Sequence, residues 1–121
     1  MLKLNHVALT VSDRARSADF YRRWFGLELT LHEDDHLLIL GDASGGLLAL
    51  SQGTVSNDPP PRTTHFGFEV GSVGEVVECR VAFANGGVRE AEWQEAGPTR
   101  VQVFDPDGYR VEVFAFGYAE A

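Results

Sequence analysis

Basic residues are scarce in this chain of 121 residues, which has a single lysine, Lys3, and a formal net charge of −8 at pH 7. Proteins that bind nucleic acid neutralise phosphates with clustered Lys and Arg. We therefore expect no nucleic-acid partner. Long apolar runs are also missing, because no stretch approaches the ~20 residues that a membrane-spanning helix needs. We expect no membrane partner either.

Cysteine is almost absent too, since Cys79 is the only one. An internal disulfide is excluded, and a reducing compartment is expected. Cys79 lies in a predicted amphipathic helix, where a small packed residue is favoured over a nucleophile. The first residues lack the charged-then-apolar pattern of a signal peptide, so we expect a cytoplasmic protein. The length fits one domain, 1–121, or two half-sized modules that share a core.

Three metal-competent side chains stand out within alternating, strand-like runs: His6, His65 and Glu112. Successive side chains of a strand point to opposite faces. Each of the three therefore lies on the face away from the main apolar stripe of its own strand. Two imidazoles and one carboxylate can hold a divalent ion and leave positions open for chemistry. A buried Glu112 needs a counter-ion, which would be the metal or else Arg100 or Arg110.

The chain also repeats itself. His65 follows His6 by 59 positions, and Ser72 follows Asp13, the other predicted helix N-cap, by the same 59. The order β-α-β-β-β is predicted in module one (about 1–52) and again in module two (about 64–117), and a proline-rich linker (53–63) joins them. This pattern predicts an α+β fold. In the second helix, the predicted core stripe comprises Val73, Val76, Val77, Phe83 and Ala84.

Four segments together resemble the vicinal oxygen chelate superfamily, also called the glyoxalase, bleomycin-resistance and dioxygenase group. They are Leu4–Asp13, Phe20–Leu27, His65–Phe68 and Asp105–Glu112. The resemblance implies two βαβββ modules that form half-barrel cups, and one divalent metal ion per site on His6, His65 and Glu112. It also implies a homodimer with shared sites, in which His6 comes from one subunit and the other two ligands from its partner.

The match has departures that bear on activity. Glyoxalase I typically has a fourth ligand in the last strand of module one, where residues 46–52 offer neither Glu nor His, so that activity is disfavoured. A metal site with three protein ligands resembles the sites of extradiol dioxygenases and fosfomycin thiol transferases. The fosfomycin enzymes have a lysine in the loop before the seventh strand, where this chain has Glu92, Trp93, Gln94 and Glu95. They also have a threonine two residues after the first histidine, where this chain has Ala8. A fosfomycin thiol transferase is therefore disfavoured.

Further candidates follow from strand parity. Arg100 and Phe104 would line the cup if Val101 and Val103 pack on the helix, and Arg100 or Arg110 could meet an anionic substrate or pair with a carboxylate. Glu69 and Tyr109 are candidates for a general base. His32 and His36 flank an acidic turn, where an exposed hairpin tip is favoured over a second metal site.

Two functions remain open on these grounds. The first is a metal-dependent enzyme that chelates a small oxygenated substrate on Fe, Mn, Zn or Ni, as a ring-cleaving dioxygenase, a lyase or isomerase, or a thiol transferase. The second is a non-catalytic protein that sequesters an antibiotic-like molecule. The first predicts bound metal that depends on His65 and Glu112, and the second predicts none.

Overall fold

The computed structural model describes residues 1–117. They divide into two compact units, with the boundary between Asp58 and Pro59. The boundary lies within the segment predicted as the linker. Each unit has the order β-α-β-β-β, so the predicted repeat and the α+β class are confirmed. Neither helix of residues 1–117 is long and apolar enough to cross a membrane.

The first unit is a four-stranded mixed sheet with one helix. Strand β1 runs parallel to β4, while β3 pairs antiparallel with β4 and with β2, in the order β1-β4-β3-β2. The elements are β1 (His6–Val11), α1 (Arg14–Phe25), β2 (Leu29–Glu33), β3 (Leu38–Gly41) and β4 (Leu47–Gln52).

The second unit repeats this topology in the order β5-β8-β7-β6, with β5 parallel to β8 and the other two pairings antiparallel. Its elements are β5 (Phe66–Glu69), α2 (Val73–Asn85), β6 (Glu90–Gln94), β7 (Pro98–Phe104) and β8 (Arg110–Phe116). Parallel neighbours need a long crossover, and in both units the helix and two strands supply it.

The helix ends follow the predicted caps. The side chain of Asp13 accepts a hydrogen bond from the amide of Arg16, and Gly26 ends α1 with φ of 68°. Ser72 accepts from the amide of Glu75. The Glu75 carboxylate accepts from the amide of Gly71 instead of that of Ser72, so the second half of the capping box is displaced by one residue.

The core of the second unit lies between α2 and one face of the sheet. Val76 and Phe83 are buried on α2, and the strands contribute Val101, Val103, Val111, Val113 and Ala115. The prediction that Val77 and Ala84 face the core is wrong, because both are exposed, Val77 by 43%. Adjacent helical positions are rotated by about 100°, so Val77 cannot share the face of Val76. The other face of the sheet carries the polar side chains of these strands together with Pro98, Phe114 and Phe116.

Candidate functional site

A cavity of about 270 Å³ opens on the sheet face of the second unit that α2 does not cover. Residues of β6, β7 and β8 that line it are all even-numbered, whereas the buried apolar residues on these strands are odd-numbered. Strict alternation along three strands therefore separates core from cavity. The lining residues are Arg62, Thr63, His65, Glu92, Gln94, Pro98, Arg100, Gln102, Glu112, Phe114 and Phe116.

Glu112 is the buried carboxylate of this cavity, with 7% of the residue exposed. Its Oε1 accepts from Nη1 of Arg100 at 3.0 Å and from Nε2 of Gln102 at 3.1 Å. No hydrogen bond reaches Oε2 from residues 1–117. Of the counter-ions expected for Glu112, Arg100 is therefore present, and one carboxylate oxygen is left for a further ligand.

His65 directly precedes β5 and faces Glu112. Its Nδ1 lies 3.0 Å from the carbonyl oxygen of Thr63, and a carbonyl can only accept, so Nδ1 carries the hydrogen. In the neutral ring, Nε2 then presents a lone pair. Nε2 lies 3.6 Å from Oε1 of Glu112, which is too long for a direct hydrogen bond.

This arrangement fits a divalent metal ion. An imidazole nitrogen and a carboxylate converge on one space, and a backbone carbonyl holds the far side of the ring, as is usual for histidines that bind metals. Nitrogen and oxygen donors of this kind suit Fe, Mn, Zn and Ni. Within residues 1–117, however, no three His, Cys, Asp or Glu side chains are grouped to hold a metal. Of the three predicted ligands, the second unit brings together two, His65 and Glu112.

His6, the third predicted ligand, lies at the start of β1 in the first unit. It is exposed, and its Nδ1 lies 3.4 Å from Oδ1 of Asn5. The predicted alternation holds here, since Val7 and Leu9 are less exposed than their neighbours.

Strand register shows why the first unit has no fourth ligand. Ala8 pairs with Ala49 across β1 and β4, and the equivalent pair across β5 and β8 is Gly67 with Glu112. Ala49 is thus the counterpart of Glu112, and its methyl group cannot bind a metal ion.

Glu92 is a central residue that the sequence reasoning missed. Its Oε2 lies 2.8 Å from Nη2 of Arg100, and its Oε1 forms ion pairs with Arg62 and, at 3.4 Å, with Arg110. Three guanidinium groups therefore surround one carboxylate. The signal that could have found Glu92 is its even position number, which it shares with Arg100 and Glu112.

Of the other predicted site residues in the second unit, Arg100 lines the cavity. The rest do not line it: Glu69, Phe104, Tyr109 and Arg110. Arg110 stacks over the ring of Phe104 with its Cζ 5.2 Å from the ring centroid. Glu69 is exposed at the end of β5. Burial, then the carboxylates of Asp105 and Asp107, raise the pKa of Tyr109 above its ordinary value. The Tyr109 hydroxyl is therefore protonated near neutral pH and is a poor base.

Several known proteins are similar to this chain. A curated relative, the trivalent organoarsenical cleaving enzyme of Bacillus sp. (strain MD1), is 28% identical over 120 residues, which span 93% of this chain and 73% of the relative. Lactoylglutathione lyase from Agrobacterium tumefaciens is 26% identical, with a TM-score of 0.75 over 93% of this chain and 92% of that one.

The fold is also that of the fosfomycin resistance protein FosX from Listeria monocytogenes, with a TM-score of 0.82, 18% identity, and coverage of 99% of this chain and 96% of that one. A variant of FosX is known in complex with Mn(II) and 1S,2S-dihydroxypropylphosphonic acid. The model of the Glyoxalase/Bleomycin resistance protein/Dioxygenase superfamily matches residues 3–113. The chain belongs to this superfamily.

Proposed function

We propose that this protein is a divalent-metal-dependent enzyme that acts on a small oxygenated molecule. His65 and Glu112 of one chain and His6 of a second copy are the proposed ligands. The observation that carries the proposal is the convergence of His65 Nε2 and the buried Glu112 carboxylate at 3.6 Å. Two electron-pair donors that face each other at this distance can hold a cation between them.

When bound, the ion would polarise vicinal oxygen atoms of the substrate and stabilise negative charge that develops on them. The protein's own groups prepare the site. The carbonyl of Thr63 orients the ring of His65 so that Nε2 points into the cavity, while Arg100 and Gln102 hold Oε1 of Glu112. The wall of Pro98, Phe114 and Phe116 accommodates an apolar part of the substrate.

The other carboxylate of the cavity narrows the reaction class. Besides the proposed ligands, Glu92 is the one side chain lining the cavity, within residues 1–117, that could act as a carboxylate base. Ion pairs with Arg62, Arg100 and Arg110 engage both of its carboxylate oxygens, so neither is free to accept a proton from a substrate. Isomerisation needs a protein base to move a proton from carbon. The site therefore favours ring-cleaving dioxygenation, lyase chemistry or thiol transfer over isomerisation.

The substrate of the organoarsenical cleaving enzyme fits this cavity poorly. Trivalent arsenic is a soft centre, and soft centres prefer thiolate ligands. The one thiol, Cys79, lies on α2 and does not line the cavity. Burial, then Glu75 and Glu78, raise the pKa of this thiol above its ordinary value. We therefore expect an oxygen-rich substrate instead of an arsenical.

A second candidate function is the sequestration of an aromatic molecule without catalysis. Its support is the apolar wall, in which the rings of Phe114 and Phe116 meet edge to face with centroids 5.7 Å apart. Because Arg100 already neutralises Glu112, such a protein would need no metal. It would bind its ligand equally well after His65→Ala.

Metal content after reconstitution separates the two functions. Chelator-treated protein is dialysed against Fe²⁺, Mn²⁺, Zn²⁺ or Ni²⁺ and its bound metal measured by elemental analysis. We expect about one ion per chain in the wild type and loss of binding in His65→Ala and Glu112→Ala. His36→Ala, which alters a histidine of the exposed hairpin, is the matched control and should keep its metal. If the wild type and the variants are equally metal-free, the proposed metal-dependent enzymatic function is ruled out.

Subunit mixing tests the shared site. Dimers of His6→Ala and of Glu112→Ala each lack intact sites. A mixed dimer regains one site, composed of His6 from one chain and His65 with Glu112 from the other. Metal binding should therefore recover after subunit exchange, and a failure to recover would show that each site draws its ligands from one chain.

A further inference from the structure

We infer that Arg62 forms a carboxylate-binding subsite at this cavity. A carboxylate of the substrate takes the place of Glu92 in the ion pair with Arg62. The inference deepens the proposed function, on which it rests, by naming the substrate as a small organic anion with an apolar part. Neither residue was predicted from the sequence to bind substrate. Both line the cavity.

Glu92 carries more cationic partners than its charge can neutralise. Oε2 pairs with Arg100, and Oε1 is shared by Arg62 and Arg110. Arg100 also pairs with Glu112. Three arginines therefore face two carboxylates, which leaves one positive charge uncompensated beside the cavity. A bound divalent cation would add to this excess, and an anionic ligand would balance it.

Of the three arginines that pair with Glu92, Arg62 is the most exposed to solvent. Its side chain is 70% exposed, against 20% for Arg100 and 19% for Arg110. An exposed ion pair contributes little stability, because solvent screens the charges and two side chains lose freedom. Its guanidinium also has a planar edge suited to two parallel hydrogen bonds with an incoming carboxylate. The Arg62–Glu92 pair can therefore exchange its carboxylate at small cost.

The apolar wall sets the second requirement for the ligand. Phe114 and Phe116 project into the same cavity, and Pro98 completes this side. A ligand whose carboxylate reaches Arg62 therefore has an apolar surface against which to bury its hydrocarbon part. An aromatic or short-chain carboxylic acid has both features, whereas a neutral amide of the same shape has only one.

The test compares phenylacetate with phenylacetamide, two probes of nearly the same shape that differ in charge. Binding to the full-length protein is measured by titration calorimetry, with chelator-treated and with Mn²⁺-reconstituted samples. The variants are Arg62→Gln and Glu92→Gln. The matched controls are Arg80→Gln and Glu90→Gln, because Arg80 and Glu90 form the same kind of ion pair at 2.8 Å, with exposures of 40% and 37%, and do not line the cavity.

We expect phenylacetate to bind at least about tenfold more tightly than phenylacetamide, and added salt to reduce the difference. Arg62→Gln should weaken phenylacetate about fivefold and leave phenylacetamide unchanged. Glu92→Gln should strengthen phenylacetate by about threefold or more, because the internal competitor loses its charge. Neither control should change either affinity.

Equal binding of the two probes, or unchanged phenylacetate affinity in Arg62→Gln, would overturn the subsite. Should Glu92→Gln fail to fold, Arg62→Gln decides alone, since that side chain is mostly exposed. The two samples keep this result apart from the metal proposal. Selective phenylacetate binding by a protein that takes up no metal would support the subsite and refute the proposed metal-dependent activity. Metal uptake without selective binding would support metal dependence and overturn the subsite.

Discussion

Gly67 lies directly across from Glu112 in the parallel pairing of β5 with β8, and an added Cβ at position 67 would meet the Cβ of Glu112 at 3.3 Å. The same Cβ would lie 3.4 Å from the Glu112 carbonyl oxygen and from the ring of Phe114. The 3.3 Å contact is tighter than usual for a Cβ atom, so Glu112 would have to shift by a few tenths of an ångström. The absence of a side chain at Gly67 therefore leaves room for Glu112 in its observed position.

Gly67→Ala should displace Glu112 and weaken the proposed metal site. We expect about 1 kcal/mol lower free energy of unfolding, from overpacking, and weaker Mn²⁺ binding in calorimetry. Gly74→Ala is the control, because a Cβ there would be 3.7 Å from Oγ of Ser72 and in ordinary contact. Alanine near the start of α2 should stabilise the helix and leave Mn²⁺ affinity unchanged. Equal Mn²⁺ affinity in both variants would contradict this role for Gly67.

Arg100→Gln should lower stability more than an exposed arginine change does. Arg100 donates to both Glu92 and Glu112 and is 20% exposed, so its loss leaves two part-buried carboxylates short of a counter-charge. We expect about 2 kcal/mol lower free energy of unfolding in urea. Arg80→Gln, which removes one partner of an exposed ion pair, should lower it much less. Saturating Mn²⁺ should restore part of the loss in Arg100→Gln, and equal losses in the two variants would refute the assignment.

Ser17→Ala should stabilise the protein. Ser17 is fully buried on α1, and its hydroxyl has no hydrogen-bond partner among residues 1–117. Removing an unsatisfied hydroxyl and gaining the helix propensity of alanine should add about 1 kcal/mol to the free energy of unfolding. Thr99→Val is the opposite case, because the buried Thr99 hydroxyl donates to the carbonyl of Glu95 at 3.2 Å. Thr99→Val should lower the free energy of unfolding. A lower free energy of unfolding in both variants would show that the Ser17 hydroxyl has a hydrogen-bond partner.

Asp34 should make the protein more stable as the pH rises through the acid range. A hydrogen bond from His32, then the amides of His36 and Leu37, hold the pKa of this carboxyl well below its ordinary value of 3.8. A lowered folded-state pKa contributes stability that is present above the ordinary value and lost as the pH falls below it. Asp34→Asn should remove this part of the pH dependence.

The measurement for Asp34 is the free energy of unfolding between pH 2 and 6, taken as the difference between wild type and variant. Asp35→Asn is the matched control, because Asp35 is the next residue and makes none of these hydrogen bonds. The wild-type curve should fall relative to that of Asp34→Asn below the ordinary pKa of aspartate. Parallel curves would contradict the contribution of Asp34.

Periodicity was enough to predict most of the architecture. The repeat of 59 positions from His6 to His65 marks two similar modules, and the caps at Asp13 and Ser72 mark where the helices begin, because both features are local. Glu75 and Val77 show the limit of this reasoning. A displaced capping contact and an exposed valine depend on how α2 is rotated over its sheet, which propensity does not determine.

The sequence by itself determined which side chains share a face, since parity along a strand is a property of the backbone. It thereby separated Glu112 and Arg100 from the valines between them. Only the tertiary structure decided how these polar groups pair. The convergence of Arg62, Arg100 and Arg110 on Glu92 depends on the register of β6, β7 and β8 and on the path of the segment before β5. Such contacts join residues far apart in the chain, and no local pattern records them.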